Sequence, residues 1–285
     1  MLAYSAIAEN TLDEVDIIID YLNMGFSVLS SQGDWFCYFI NESNEEVLVR
    51  YLGSAEKLIL PSSLGDNRLA VINDNAFAGN ETLKSVEIPY SVYRIGDGAF
   101  QKCINLISVN IPYSVREIAD IGIFAACISL EQIIVDKGND YYCDIDGVLY
   151  TKDKLKLCAY PAGRTAKSYD ILDGTVEIGD FAFSCASKLR HVTIPSSVTT
   201  LGNLSFCDTY IESISIPNGI ISIGERAFSY CSEIKTIYIP DSVISLGTQA
   251  FTHCDSLEHV SIPQSLSNTA VYTVDRRNLL QIRDK

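Results

Sequence analysis

A motif of about 23 residues repeats along most of this chain. Residues 83–105 read LKSVEIPYSVYRIGDGAFQKCIN and residues 234–256 read IKTIYIPDSVISLGTQAFTHCDS, so related residues recur at seven columns. Seven of the eight prolines follow Ile or Leu, and several successive prolines are 22 or 23 residues apart. A unit this short cannot bury its own apolar face, so stacked units must share one continuous core. The period therefore predicts a solenoid.

Each repeated column has a physical interpretation. The alternation in V-x-I predicts a short strand with one buried face, and the proline after it ends the strand because it offers no ladder donor. The glycine of the I-G pair predicts a corner with positive φ. The phenylalanine predicts a ring that fills the space between opposite walls of the coil. The glycine column holds Gly96, Gly179, Gly202, Gly224 and Gly247, and the phenylalanine column holds Phe77, Phe100, Phe124, Phe183, Phe206, Phe228 and Phe251.

The nine cysteines are too few for a disulfide scaffold, and their odd number leaves at least one thiol unpaired. Four of them, Cys103, Cys127, Cys231 and Cys254, stand three residues after the phenylalanine column. Cysteine behaves as a small buried hydrophobe, so this column predicts a ladder of buried thiols. The alternative, a metal or redox array, lacks a His or second Cys at ligand spacing and has no C-x-x-C motif.

The repeat is irregular near the middle of the chain. The long gap between the third and fourth of these prolines conceals two further units, with Asp136 and Leu172 in place of proline, which brings the total to about nine. Residues 114–127 contain one extra residue, with Ala119 at the glycine column, and the unit over 201–211 is one residue short. These departures predict bulges or a break in curvature, within the same fold.

With these columns in view, the chain resembles the BspA-type leucine-rich repeats of bacterial surface proteins and some protists. The strings that carry the resemblance are L-x-x-V-x-I-P-x-S-V and I-G-x-x-A-F-x-x-C, and it covers roughly residues 34–267. Residues 145–163 resemble an insertion that recurs in the family. The resemblance implies a leucine-rich-repeat solenoid, a right-handed, β-rich superhelix shaped like a horseshoe. It also implies adhesion or protein binding at a cell surface, with no catalytic residues.

The ends of the chain do not repeat and predict caps, because terminal units would otherwise expose the core. An amphipathic helix is expected over 11–23 and a hairpin over 35–52; the alternative is that this helix docks a partner. The insertion predicts a second hairpin and a candidate protrusion for contact. The predicted divisions are an N-terminal cap at 1–54, a solenoid at 55–267 with an insertion at 140–163, and a C-terminal cap at 268–285.

Charge restricts the partners that this chain can bind. With 36 acidic and 21 basic side chains the net charge is −15, which argues against nucleic acid and against a polybasic membrane anchor. Residues 1–80 hold 12 acidic and 3 basic residues, net −9, so the remainder carries only −6. No apolar run reaches the roughly 18 residues that would predict membrane insertion.

No catalytic, cofactor-binding or metal-binding motif is present in the sequence. The chain has no G-x-S-x-G, G-x-x-x-x-G-K-[ST] or H-E-x-x-H pattern. His191 and His259 share a column but lie three repeats apart, about 14 Å at the strand spacing, so they cannot chelate one metal ion. The sequence therefore predicts no enzyme, no cofactor and no metal.

The strand positions opposite the core predict a partner-binding surface on the concave sheet. We expect contacts from six outward residues and from two tyrosines that follow proline in adjacent repeats, with rings within about 5 Å of each other. The alternative is a solvated polar sheet without a ligand. The predicted contacts are Glu87, Asn110, His191, Thr193, Tyr238, His259, Tyr90 and Tyr113.

These features favour a non-enzymatic, monomeric scaffold that binds a protein or glycan. The alternatives are a structural spacer and an intracellular interaction protein. The resemblance implies a cell-surface or secreted location, and a cytoplasmic one is the alternative. Residues 1–8 lack the charged and apolar regions of a signal peptide, although Ala6-Ile7-Ala8 has the shape of a cleavage site.

Overall fold

Most turns of the molecule supply two short strands, which stack on the equivalent strands of neighbouring turns. The computed structural model describes residues 12–31, 33–266 and 279–283. The result is a β-solenoid of about nine turns, so the predicted fold is confirmed. We call the strand in the V-x-I-P segment of each turn its proline strand, and the strand before the glycine column its glycine strand.

Four elements precede the first turn: helix α1 (Leu12–Asn23) and strands β1 (Ser27–Ser31), β2 (Asp34–Ile40) and β3 (Glu46–Tyr51). The helix and the antiparallel β2–β3 hairpin lie where the sequence predicts them, whereas β1 was not predicted. Ile18 of α1 packs on Trp35 of β2, and both side chains are buried. The Ala6-Ile7-Ala8 segment lies outside the described residues.

The strands of the solenoid are two to five residues long. The proline strands are β4 (Lys57–Ile59), β6 (Ser85–Glu87), β8 (Ser108–Ile111), β10 (Gln132–Val135), β14 (Ser168–Asp170), β16 (His191–Thr193), β18 (Ser213–Ile214), β20 (Thr236–Tyr238) and β22 (His259–Pro263). The glycine strands are β5 (Leu69–Ile72), β7 (Arg94–Ile95), β9 (Glu117–Ile118), β15 (Glu177–Ile178), β17 (Thr200–Leu201), β19 (Ser222–Ile223) and β21 (Ser245–Leu246).

Equivalent strands pair in parallel, so like columns stack. The proline strands form three sheets, ordered β4-β6-β8-β10, β14-β16-β18 and β20-β22-β23. Strand β23 (Leu279–Arg283) pairs with β22 near the C-terminus, after a 3-10 turn at Gln264–Leu266. The rest of the predicted C-terminal cap lies outside the described residues.

The glycine strands are continuous with the N-terminal hairpin, because β3 pairs in parallel with β5. Their ladder ends at β9 and resumes at β15. At the end of the first ladder, the backbone N–H of Ile118 donates to the Tyr142 hydroxyl over 2.8 Å. The interruption falls in the middle of the chain, where the repeats are irregular.

The insertion forms a three-stranded antiparallel meander of β11 (Tyr142–Ile145), β12 (Val148–Thr151) and β13 (Lys156–Ala159), and β13 then pairs in parallel with β15. The expectation of a protrusion is wrong, because Val148, Leu149 and Tyr150 are fully buried. Val148 and Tyr150 pack in the core of the later turns, whereas Leu149 packs in the core of the earlier turns. Strand β12 therefore forms a wall between two cores.

Two substitutions at neighbouring positions of this wall test its two-sided packing. Leu149→Ala should cost about 2–3 kcal/mol and Val148→Ala about 1–3 kcal/mol, because each removes buried methyl groups and leaves a cavity. Hydrogen exchange should accelerate in the earlier turns for Leu149→Ala and in the later turns for Val148→Ala. Equal acceleration in both halves for both variants would contradict a wall between separate cores.

The glycine column does not have the predicted conformation. Positive φ occurs two residues later, at Asn75, Gly98, Phe181, Leu204, Arg226 and Gln249. Glycine is needed at the column because each turn passes close to the previous one: a Cβ at Gly224 would lie 2.6 Å from the backbone nitrogen of Asn203. The prediction of positive φ at this column is therefore wrong, and glycine is required because the backbones of successive turns approach closely.

The phenylalanine column forms the predicted core. In the later turns the rings of Phe183, Phe206, Phe228 and Phe251 stack with centroid distances of 4.9, 5.2 and 5.5 Å. Tyr160 extends this stack, 5.0 Å from Phe183. The earlier turns contain an equivalent stack of Phe77, Phe100 and Phe124, which Tyr51 extends into the N-terminal hairpin.

Candidate functional site

The proline strands present one face to the core and the other to solvent. Val86 and Ile88 of the second turn are buried, and Glu87 between them is exposed. The same alternation recurs in β8, β10, β16 and β20. The outward face is therefore a regular array of side chains with one row per strand position, as the V-x-I pattern predicts.

One row crosses all four strands of the first sheet of proline strands. Strand register places Ile59 beside Glu87, Glu87 beside Asn110, and Asn110 beside Ile134. At about 4.8 Å per strand, the row is about 14 Å long. Its two ends are apolar yet open to solvent, since Ile59 is 75% and Ile134 42% exposed.

An open groove of about 550 Å³ runs beside this row. Its remaining lining comes largely from the segments that follow each strand, including Ile88, Pro89 and Pro112. The proline column thus contributes twice, because it ends the strands and then supplies part of a mostly apolar surface. Concave, mostly apolar surfaces with a few polar groups are typical of binding sites.

Two stacked tyrosines flank the groove. Tyr90 lines it, and the ring of Tyr113 lies 5.1 Å from the ring of Tyr90 at an interplanar angle of 27°. Both rings remain solvent-accessible, with 63% and 54% of each residue exposed. The stacking predicted from the repeat is confirmed. Exposed tyrosines supply apolar area together with a hydroxyl, a combination that is enriched at protein interfaces.

The polar groups of the groove are acidic or uncharged. Glu87 and Asp136 are its charged lining residues, and the lining contains no Lys or Arg. Asp136 accepts a hydrogen bond from the backbone of Gly138 over 2.8 Å, whereas Glu87 has no ion-pair partner in the described part of the chain. The Oγ of Ser91 is buried and makes no hydrogen bond there. The groove is thus an apolar surface with negative charge and unused hydrogen-bonding capacity.

The Ser91 hydroxyl differs from those of its column for a local reason. In other turns this serine donates to a carbonyl of the previous turn, as Ser114 does to Val92 over 2.6 Å. The turn before Ser91 carries a five-residue insertion at 64–68. The buried Glu46 carboxylate holds that loop by accepting hydrogen bonds from its backbone, including 2.8 Å from Gly65.

The other predicted contacts lie on different sheets. His191 and Thr193 are exposed on β16 in the second sheet, where the His191 Nδ1 lies 3.5 Å from the Ser213 hydroxyl. Tyr238 of β20 is exposed on the third sheet. His259 of β22 is half-buried between β20 and β23, and its Nδ1 is buried without a hydrogen bond in the described residues.

Of the eight residues, the structure brings Glu87, Asn110, Tyr90 and Tyr113 together. The groove residues that the sequence prediction omitted are Ser91, Asp136 and the two exposed isoleucines, Ile59 and Ile134. A signal for the isoleucines was available, because apolar side chains at outward strand positions stand out in a column that is otherwise mostly polar. Exposed apolar side chains of this kind indicate a surface to which a partner binds.

The thiol column is confirmed as a buried ladder, and all nine cysteines are free thiols. Each column thiol donates to the carbonyl of the phenylalanine one turn earlier: Cys103 to Phe77, Cys127 to Phe100, Cys231 to Phe206 and Cys254 to Phe228, over 2.9–3.1 Å. Burial raises the pKa of the Cys103 thiol to about 12 and raises the pKa of Cys127 and Cys231 well above the ordinary value. Thiols in this state are poor nucleophiles and poor metal ligands.

Alkylation tests this assignment. In native protein at pH 8, iodoacetamide should leave Cys103, Cys127, Cys231 and Cys254 unmodified, because they are buried and thiolate is the reactive form. After denaturation all nine thiols should react. Intact-mass and peptide mass spectrometry give the count and positions. Rapid native modification of the column would favour the redox or metal array.

The described residues contain no group of three or more His, Cys, Asp or Glu side chains placed to hold a metal ion. Within the same ranges, no helix has the length and hydropathy needed to cross a membrane.

A coil of parallel proline and glycine strands around stacked phenylalanines defines a leucine-rich-repeat solenoid. The model of the BspA type leucine rich repeat region matches in six copies, over residues 54–144 and 159–281. The chain therefore belongs to this family, whose fold is typically non-enzymatic. No curated protein gives a significant match.

Solved structures share the fold. One is the pneumococcal vaccine antigen PcpA, with a TM-score of 0.59 and 17% identity, covering 91% of this chain and 99% of that one. Another is a leucine-rich cell surface protein from Faecalibacterium prausnitzii, with a TM-score of 0.53 and 19% identity, covering 91% and 95%. At these identities the similarity establishes the fold alone.

Proposed function

We propose that this chain is a non-enzymatic scaffold that binds a protein partner at a bacterial cell surface, with the groove beside β4, β6, β8 and β10 as its binding site. The observation that carries the proposal is the pairing of exposed apolar side chains with a stacked tyrosine pair. Ile59, Ile134, Tyr90 and Tyr113 are all large and exposed, and they lie on adjacent turns. Soluble proteins seldom cluster such residues on one surface unless something covers them.

The composition of the groove favours protein over glycan as the partner. Its lining is mainly aliphatic side chains and proline, and its polar groups are few. Interfaces between proteins have this composition, with an apolar and aromatic centre and a polar edge. A solenoid holds such a surface rigidly, because each turn is fixed by the hydrogen bonds of its neighbours, and preorganisation reduces the entropy lost on binding.

The surface location rests on relatives. A solved structure with this fold is described as a vaccine antigen and another as a cell surface protein. A surface-exposed scaffold would use its outward sheet for recognition, and the repeat would set the distance between contacts. A spacer without a ligand would have no use for the exposed tyrosine pair.

Peptide selection tests the groove as a protein-binding site. A display library of random twelve-residue peptides is selected on the wild-type chain, with a glycan array as the comparison. We expect saturable peptide binding, weakened at least about tenfold by Tyr90→Ala/Tyr113→Ala, since interface tyrosines often contribute 1–2 kcal/mol or more each. Surface plasmon resonance gives the affinities.

The matched control removes a second stacked aromatic pair. Tyr230 and His253 stack at 4.4 Å on another part of the solenoid. Tyr230→Ala/His253→Ala should leave peptide binding unchanged. Binding of glycans in place of peptides, or equal loss in both double variants, would refute the groove as the site. Loss in Tyr238→Ala alone would assign recognition to the third sheet instead.

A further inference from the structure

We infer that the groove selects an extended peptide segment in which one Lys or Arg stands between two apolar residues, in the pattern apolar–x–basic–x–apolar. The inference rests on the proposed function and specifies its partner. Three properties of the described residues support it: the charge of the groove, the spacing of its row, and its unused polar atoms.

The negative charge of the groove favours a basic side chain in the ligand. Glu87 and Asp136 lie on a lining without Lys or Arg, and Glu87 has no ion-pair partner in the described residues. Some carboxylates elsewhere on the surface are ion-paired, for example Glu117 with Arg94 over 2.8 Å. The chain as a whole is acidic, with 12 of its acidic residues and 3 of its basic residues in the first 80 positions. A basic partner would therefore be steered to this end and held by Glu87, whereas an acidic partner would be repelled.

The row sets the spacing of the ligand. Ile59 and Ile134 at its ends are about 14 Å apart, and Glu87 and Asn110 lie between them. An extended peptide advances about 3.3 Å per residue, and alternate side chains share one face. Residues i, i+2 and i+4 therefore span about 13 Å. Apolar side chains at i and i+4 can cover the two isoleucines while a basic side chain at i+2 reaches Glu87.

The remaining groups fit the backbone and the stem of that basic residue. The Asn110 amide is exposed on β8 and has no hydrogen-bond partner in the described part of the chain, so it is available to a peptide backbone. The Ser91 hydroxyl is also without a hydrogen bond there, but it is buried in the lining of the groove. The exposed face of Tyr90 can take a cation by a cation–π contact. The chain already makes this contact nearby, where the Arg116 guanidinium lies 4.5 Å from the ring centroid of Tyr93.

Defined peptides test the inference. Capped peptides Leu-Ser-Lys-Ser-Leu, Leu-Ser-Gln-Ser-Leu and Leu-Ser-Glu-Ser-Leu are titrated into isotope-labelled protein and followed by NMR shift changes. We expect the Lys peptide to bind about 3- to 10-fold tighter than the Gln peptide, and the Glu peptide to bind weakest. Raising the salt concentration from 0.05 to 0.5 M should reduce the Lys advantage and leave the Gln peptide little affected.

Variants assign the preference to one carboxylate. Glu87→Gln should make the Lys and Gln peptides bind equally. Asp170→Asn is the matched control, because Asp170 is exposed at the same column of β14 in the second sheet; it should leave the preference intact. A Gln peptide that binds as well as the Lys peptide, or a Lys preference that survives Glu87→Gln, would overturn the inference. If library peptides still lose affinity in Tyr90→Ala/Tyr113→Ala, the proposed function stands and only the cation preference fails.

Discussion

Phe206→Ala should destabilise the protein by about 3–5 kcal/mol, a large fraction of the stability of an ordinary domain. The Phe206 ring is fully buried between Phe183 at 4.9 Å and Phe228 at 5.2 Å, and it is nearly parallel to both. Removing it deletes two stacking contacts and leaves a ring-sized cavity. Neighbouring turns cannot close that cavity, because their hydrogen-bonded ladders fix the distance between them.

Chemical denaturation measures the loss, and hydrogen exchange locates it. Exchange should accelerate most in the turns that contain Phe183, Phe206 and Phe228, because each unit of a solenoid contacts only its neighbours. Tyr90→Ala is the control, since this ring is 63% exposed and its removal should change the free energy of unfolding by less than about 0.5 kcal/mol. A cost for Phe206→Ala below about 1 kcal/mol would show that the aromatic stack contributes little.

The sequence was sufficient to predict this stack wherever the repeat is regular. A period of 23 residues places one phenylalanine above another, and the strand spacing then determines the ring distance. The ends of each stack were not predicted. Tyr51 and Tyr160 continue the two stacks from a hairpin and a meander whose sequences do not repeat, so no period marks them.

The candidate site was predicted in part for the same reason. Register along one sheet correctly joined Glu87 to Asn110 and Tyr90 to Tyr113. His191 and His259 were assigned to the same surface because the repeat was treated as continuous. The meander interrupts the ladder between β10 and β14, and a second interruption lies between β18 and β20, so His191 and His259 lie on two further sheets. A period describes which residues are equivalent, whereas physical proximity also depends on an unbroken ladder.

The unit around Ala119 shows why the glycine column is restrictive. In the regular turn, the residue directly after Gly96 donates its backbone N–H to the Asp74 carboxylate over 3.0 Å. In the unit with alanine at the column, the donor to Asp97 is the second residue after it, Ile121, over 2.9 Å. This unit therefore has one residue more than the regular units, together with the Cβ of Ala119 at the column where those units have glycine. The irregularity of this unit is therefore seen as a shift of one residue in the position of the donor.

Gly224→Ala, without such an added residue, should therefore cost about 3 kcal/mol, the upper end of the usual range for overpacking. A Cβ at this position would lie 2.6 Å from the nitrogen of Asn203 and 2.6 Å from the carbonyl carbon of Gly202. Both atoms belong to the backbone of the previous turn, and the Gly224 N–H is bound to the Leu201 carbonyl of that turn over 2.8 Å. Relief of the clash requires the two turns to separate, which weakens the ladder on both sides.

The matched control is a glycine whose constraint is conformational. Gly174 has φ of +92°, and a Cβ there would meet no atom within 4 Å. Gly174→Ala should cost only about 1 kcal/mol, the strain of a side chain in the left-handed region. Comparison of the two free energies of unfolding separates close approach from backbone strain. Equal costs would contradict the close approach of stacked backbones as the reason that five units carry glycine at this column.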